Sequence, residues 1–96
     1  MCESQQVAVR EVVIANTHGL HLRPVMKFVD IANQFTSEIR VDKGEGSEPV
    51  DGKSPMAMMV LEAPKGTRLR IHATGVDAHE TVEALIRLVQ SKFDEE

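Results

Sequence analysis

Residues 17–32 read THGLHLRPVMKFVDIA, and this stretch shows where the first helix begins. Its apolar residues recur at the spacing of one helix face, which suits packing on a sheet: Val25, Phe28, Val29 and Ala32. Pro24 is tolerated in the first turn of a helix, because an N–H at that position has no intrahelical acceptor. The pattern therefore predicts a helix that begins near Leu22, with His21 at or beside its N-cap.

The other elements follow from alternation and capping residues. Short apolar or alternating runs predict strands at residues 7–14, 37–42, 48–51 and 68–74. Ser54 as N-cap and Pro55 as first helical residue predict a short second helix. Asp77 and Glu80 predict a capping box that opens a third helix, whose apolar stripe is Val82, Leu85, Ile86, Val89 and Phe93. This βαββαβα order predicts an antiparallel or mixed sheet with all three helices on one face.

Composition excludes several classes of protein. A chain of 96 residues suggests one domain over residues 1–96, with fraying expected at residues 1–6 and 94–96. The net charge of −4 and the absence of Trp and Tyr argue against nucleic-acid binding. No stretch approaches the roughly 18 apolar residues of a membrane span. Cys2 is the single cysteine, so no internal disulfide can form and a cytoplasmic location is expected.

His21 lies where a helix start favours an anion. The first backbone N–H groups of a helix have no internal partner, and the helix dipole adds positive potential there. Arg23 can bind phosphate oxygens through two N–H groups, and Gly19 allows the backbone to approach a ligand. A neutral imidazole in this place is suited to attack phosphorus. The simpler alternative, a helix-capping histidine with an exposed arginine nearby, stays open on these grounds.

The remaining histidines carry weaker signals. His18 and His21 form an H-x-x-H pair, but no third ligand lies at a suitable spacing, so neither a metal nor another cofactor is predicted. His72 lies on the polar side of the last strand, and His79 lies in the first turn of the last helix. Both are predicted to be solvated surface residues, because no other reactive groups converge on them.

Two helices carry apolar residues outside the faces expected to pack. Leu22 and Met26 lie one turn apart on a side of the first helix that also carries polar residues. In the second helix, Met58 is predicted to face the sheet, which leaves Met56 and Met59 partly exposed. Exposed methionines suit an adaptable docking surface. A deeply buried second helix is the alternative.

The motif His18-Gly19-Leu20-His21-Leu22-Arg23-Pro24 closely resembles the active-site signature of the HPr family. These proteins are the histidine-containing phosphocarriers of the bacterial phosphoenolpyruvate-dependent sugar phosphotransferase system. The resemblance extends over about residues 7–93. It implies an α+β fold, an open-faced β-sandwich in which three helices cover one face of a four-stranded antiparallel sheet. It also implies a phosphoryl carrier rather than an enzyme.

The resemblance further implies roles for individual residues. His21 would accept a phosphoryl group on Nδ1 from phosphorylated Enzyme I and donate it to an Enzyme IIA domain. Leu22 and Arg23 would bind the phosphate, and Ser54 matches a serine that a kinase/phosphorylase modifies in many bacteria. The docking surface would consist of Leu20, Leu22, Met26, Met56 and Met59.

Other partners and one alternative function follow from the same resemblance. A serine kinase/phosphorylase and a transcriptional regulator are candidate partners. We expect a monomer, because a carrier must expose one face to successive partners. The alternative is a regulatory binding module of a nitrogen-related or signalling phosphotransfer chain, in which His21 has no carrier role.

Overall fold

A computed structural model describes residues 5–94, so Cys2 and most of the residues expected to fray lie outside the described part. The elements are β1 (Gln6–Val13), α1 (Leu22–Ala32), β2 (Glu38–Asp42), β3 (Val50–Asp51), α2 (Pro55–Val60), β4 (Arg68–Gly75), α3 (Ala78–Gln90) and a 3-10 turn (Lys92–Asp94). The predicted element order is confirmed. The third strand is shorter than predicted, because only Val50 and Asp51 pair with β2. Within residues 5–94, no helix is long and apolar enough to cross a bilayer.

The sheet has the strand order β1-β4-β2-β3, and every pairing is antiparallel. The mixed-sheet alternative is therefore wrong. In β4, Leu69, Ile71 and Ala73 are buried, while the residues between them are more accessible. This alternation buries one face of the sheet under the helices and leaves the other face open, as the open-faced β-sandwich requires.

The α3 stripe forms much of the core, and all of its predicted members are buried: Val82, Leu85, Ile86, Val89 and Phe93. Burying one such side chain contributes about 1.5–3 kcal/mol. Phe93 lies beyond the end of α3, in a left-handed backbone conformation with φ of +57°. Its carbonyl accepts a hydrogen bond from Nζ of Lys27 at 2.6 Å, which ties the C-terminal turn to α1.

The capping box predicted for α3 is not formed. Asp77 is the N-cap residue, but its side chain makes no capping bond. Its carboxylate instead accepts hydrogen bonds from the backbone N–H groups of Thr36, at 2.9 Å, and Ser37, at 3.0 Å, and from both hydroxyls. The Ser37 hydroxyl, followed by the Thr36 amide, lowers the pKa of Asp77 from 3.8 to about 2. Asp77 thus joins the start of β2 to the start of α3.

His72 is not the isolated surface residue that was predicted. Its Nε2 lies 3.1 Å from Oδ2 of Asp42, whose side chain is only 3% exposed. Arg70 donates through Nε to Oδ1 of Asp42 at 3.1 Å, and the Gly44 amide donates to the same oxygen at 2.8 Å. Burial by itself raises the pKa of Asp42, but these hydrogen bonds outweigh burial and lower the pKa. The cluster forms because the register places β4 side chains beside Asp42 on the open face.

Candidate active site

The loop that precedes α1 is held by a buried asparagine and a glycine. Nδ2 of Asn16 donates to the carbonyl of Gly19 at 2.8 Å, and the Gly19 amide donates back to the Asn16 carbonyl at 3.2 Å. Gly19 has a φ of +69°, and a Cβ atom there would lie 2.6 Å from the carbonyl oxygen of Ala63. The adjacent Leu20 amide donates to that same oxygen at 2.8 Å. Glycine is therefore required both by its conformation and by the close approach of the 63–64 backbone.

His21 is the N-cap residue of α1, as predicted. Its backbone is extended, with φ of −98° and ψ of −170°, and its side chain makes no capping hydrogen bond. Its carbonyl accepts the first helical hydrogen bond, from the Val25 amide at 3.0 Å. The amides of Leu22 and Arg23 lie in the first turn, where helix geometry supplies no acceptor. Two donors are thus available beside the ring for an anion.

The imidazole of His21 is partly exposed, but its Nε2 atom is buried. Nε2 is therefore closed to a group that arrives from solvent. The ring lines a shallow, open depression together with Leu22, Arg23 and Met26. Arg23 is exposed, and none of the ion pairs described within residues 5–94 involves its guanidinium. The arginine is therefore available to a ligand.

The H-x-x-H pair is close in space. The ring centroids of His18 and His21 lie 5.9 Å apart, with the rings perpendicular. Across the described part of the chain, the His, Cys, Asp and Glu side chains form no group of three or more that could hold a metal ion. The two rings thus make an aromatic contact, with His18 on the solvent side.

Four of the five predicted docking residues are exposed: Leu22 by 60%, Met26 by 42%, Met56 by 82% and Met59 by 40%. Leu20 is an exception and requires a correction, because it is only 6% exposed and belongs to the core. The bond from its amide to Ala63 fixes the loop against the segment after α2, and the side chain lies inward. Leu20 therefore packs in the core beneath the loop and is not an exposed contact residue.

The second helix presents one face to the core and one to solvent. Met58 and Leu61 are buried, whereas Met56 and Met59 are exposed, so the alternative of a wholly buried helix is wrong. Val60 is a further exposed apolar residue, which the sequence pattern did not predict. Its position four residues after Met56 could have placed it on the same helix face. Because α2 packs against α1, the exposed face of α2 belongs to the helix beside the one that begins at His21.

Ser54 caps α2 as predicted. Its hydroxyl accepts a hydrogen bond from the Ala57 amide at 3.2 Å, and Pro55 occupies the first turn. An N-cap of this kind contributes about 1 kcal/mol. Ser54 is partly exposed.

A family model described as the PTS HPr component phosphorylation site matches residues 8–91. The phosphocarrier protein HPr of Pseudomonas aeruginosa is 44% identical over 85 residues, which cover 88% of this chain and 93% of that protein. The phosphocarrier protein NPr of Escherichia coli K12 is 35% identical over 85 residues, with the same coverage of 88% and 93%. The crystal structure of HPr-C-His from Thermoanaerobacter tengcongensis matches with a TM-score of 0.85 at 37% identity, covering 93% of this chain and 98% of that one. The chain therefore belongs to the HPr family of phosphocarriers, which are relay proteins of the phosphotransferase system rather than enzymes.

Proposed function

We propose that His21 accepts a phosphoryl group from phosphorylated Enzyme I and donates it to an Enzyme IIA domain. The observation that carries this proposal is the environment of the His21 imidazole. Nε2 of His21 is buried, so we propose Nδ1 as the nitrogen that receives the phosphoryl group, and the ring shares its depression with Arg23. We infer that this exchange takes place in the cytoplasm, where a carrier can diffuse between the two partners.

Phosphoryl transfer at this site requires few groups. The lone pair on Nδ1 of neutral His21 attacks phosphorus, the Nδ1–P bond forms, and the bond from phosphorus to the donor breaks with its electron pair left on the donor. The first-turn amides of Leu22 and Arg23 and the guanidinium of Arg23 hold the phosphoryl oxygens. Transfer to the next protein reverses these steps. The donor and acceptor proteins supply the rest of the enclosure, which agrees with the shallow shape of the depression.

The docking surface that we propose consists of Leu22, Met26, Met56 and Met59, with Val60 added from the structure. Flexible methionines can repack against different partners, as successive encounters with a donor and an acceptor require. A monomer suits this exchange, because a second copy on the same surface would block it.

The experiment measures the incorporation of labelled phosphate at His21. Mixing the protein with labelled phosphoenolpyruvate and Enzyme I should give a phosphate that is acid-labile and base-stable, as phosphohistidine is. His21→Ala should take up no label, whereas the matched control His18→Ala, whose ring lies 5.9 Å away, should still be labelled. Equal labelling of His21→Ala and the wild type would refute the assignment.

A nitrogen-related relay is the second candidate, because NPr proteins are among the relatives, including that of Proteus mirabilis at 39% identity over 87 residues. The two candidates share the chemistry at His21 and differ in partner. Measuring kcat/KM with Enzyme I of a sugar system and with its nitrogen-related counterpart separates them. The higher value identifies the physiological donor.

We also propose Ser54 as a regulatory phosphorylation site for a serine kinase/phosphorylase. A phosphate on its hydroxyl would place about two negative charges at the start of α2, beside the apolar Met56. We expect slower transfer from Enzyme I and altered binding of a transcriptional regulator. Incubation with ATP and such a kinase, followed by mass measurement with Ser54→Ala as control, tests this. An unmodified wild-type protein would contradict it.

A further inference from the structure

We infer that Asn16 is a positioning residue for His21, an inference that rests on the proposed role of His21 as phosphoryl acceptor. Asn16 is fully buried, although it lies in a loop and carries a polar amide. A buried amide in a loop is costly unless it is hydrogen-bonded, so its contacts indicate its purpose. Its Nδ2 donates to the carbonyl of Gly19 at 2.8 Å.

The Gly19 carbonyl links Asn16 to His21. It accepts the bond from Nδ2 of Asn16 on one side and the backbone N–H of His21, at 3.1 Å, on the other. The Gly19 amide also donates to the Asn16 carbonyl at 3.2 Å, so Asn16 closes the turn at both its backbone and its side chain. The direction of this one carbonyl therefore sets the backbone from which the imidazole projects.

Two other contacts of the loop act on residues 19 and 20. The Leu20 amide is bound to the Ala63 carbonyl, and Gly19 is packed against the 63–64 backbone. These contacts fix residues 19 and 20, and the Val25 amide fixes the carbonyl of His21. On the N-terminal side of His21, the orientation of the peptide depends on the Gly19 carbonyl, which the Asn16 amide holds in place. Without that amide, the ring would sample positions away from the first-turn donors.

The kinetic test separates positioning from stability. Asn16→Ala should lower the single-turnover rate constant for phosphoryl acceptance by about 10- to 100-fold, with the KM for phosphorylated Enzyme I unchanged. The KM is expected to stay the same because the exposed docking side chains are not altered. Asn33→Ala is the matched control, since its Nδ2 makes a similar bond, to the Val29 carbonyl at 3.0 Å, at the far end of α1. That variant should stay within about twofold of the wild type.

A conservative variant and a spectroscopic readout complete the test. Asn16→Ser retains a donor that can close a similar turn, and it should recover most of the rate. The nitrogen NMR signals of the His21 ring should shift in Asn16→Ala, whereas those of His79 should not. If Asn16→Ala does not fold, Asn16→Ser and Asn16→Asp, which differ in whether they keep a donor, are compared by the same two measurements.

The outcomes distinguish this inference from the proposed function. A folded Asn16→Ala protein with the wild-type rate constant and unchanged His21 ring signals would overturn the positioning role. Equal rates for Asn16→Ser and Asn16→Asp would do the same. If instead the wild type takes no label on His21, the proposed function fails, and the ring signals still report whether Asn16 orients the imidazole.

Discussion

The carboxylate of Asp77 accepts a hydrogen bond at 3.0 Å from the amide of Ser37, a residue 40 positions earlier in the chain. The Ser37 hydroxyl donates to the same carboxylate, and the Thr36 amide adds a third bond at 2.9 Å. One side chain thereby holds the segment between α1 and β2 against the start of α3.

The first prediction is a pH dependence of stability. The folded pKa of Asp77, about 2, lies below its ordinary value of 3.8, so its contribution is complete above pH 4 and is lost as the pH falls toward 2. Asp77→Asn should therefore lower the free energy of unfolding at pH 7. The difference in free energy of unfolding between the variant and the wild type should narrow as the pH falls from 4 to 2. Urea unfolding at several pH values measures this. Glu80→Gln is the control, and a gap that stays constant with pH would contradict the prediction.

The second prediction concerns Gly19. Gly19→Ala should cost about 2 kcal/mol or more, because strain at a positive φ adds to a clash with the backbone of Ala63. Gly46→Ala is the matched control, since Gly46 also has a positive φ, of +85°, but a Cβ atom there meets nothing within 4 Å. Thermal unfolding compares the two variants. An equal loss of stability in both variants would mean that the close approach of Gly19 to the Ala63 backbone is unimportant.

The third prediction separates docking from support. Met56→Asp should raise the KM for phosphorylated Enzyme I with little change in stability, because Met56 is 82% exposed and an acidic residue is favourable near a helix start. Val76→Asp, which alters an exposed apolar residue between β4 and α3, should leave the KM unchanged. Leu20→Ala should instead lower the free energy of unfolding by about 2–5 kcal/mol, as buried leucines do. An unchanged KM for Met56→Asp would remove that residue from the docking surface.

The fourth prediction concerns the cluster on the open face. Asp42→Asn should cost about 1–3 kcal/mol at pH 7, because it weakens the bonds to Arg70 and His72 while the site stays buried. The pKa of Asp42 is lowered, so the difference from the wild type should narrow below its ordinary value of 3.8. Glu38→Gln, an exposed change on the same strand, is the control. Phosphorylation of His21 should be unaffected in both variants, and a slower rate in Asp42→Asn would show that the two faces are coupled.

Sequence patterns predicted the features that depend on neighbouring residues. Pro24 and the apolar stripe placed the start of α1 correctly, and Ser54 with Pro55 placed the start of α2, because caps and helix faces are local. The spacing in α2 likewise predicted which methionines are exposed and that Met58 is buried.

The features that were missed depend on contacts between distant segments. Asp77 was expected to cap α3, but its carboxylate instead accepts hydrogen bonds from the amides of Thr36 and Ser37. Because these amides lie far earlier in the chain, no local sequence pattern predicts the contact. His72 meets Asp42 only because of the strand register. Leu20 was placed on the surface with its neighbours in the motif, yet its direction is set by the Ala63 carbonyl, far along the chain.

Helix α1 begins without help from the imidazole of His21. The backbone of that residue supplies the first carbonyl of the helix, and the side chain makes no capping bond. A ring that capped the helix would have to break its capping hydrogen bond each time a phosphoryl group was attached. In the proposed function, the backbone that starts the helix and the ring that carries the phosphoryl group are separate parts of one residue, so phosphorylation and dephosphorylation leave the start of α1 intact.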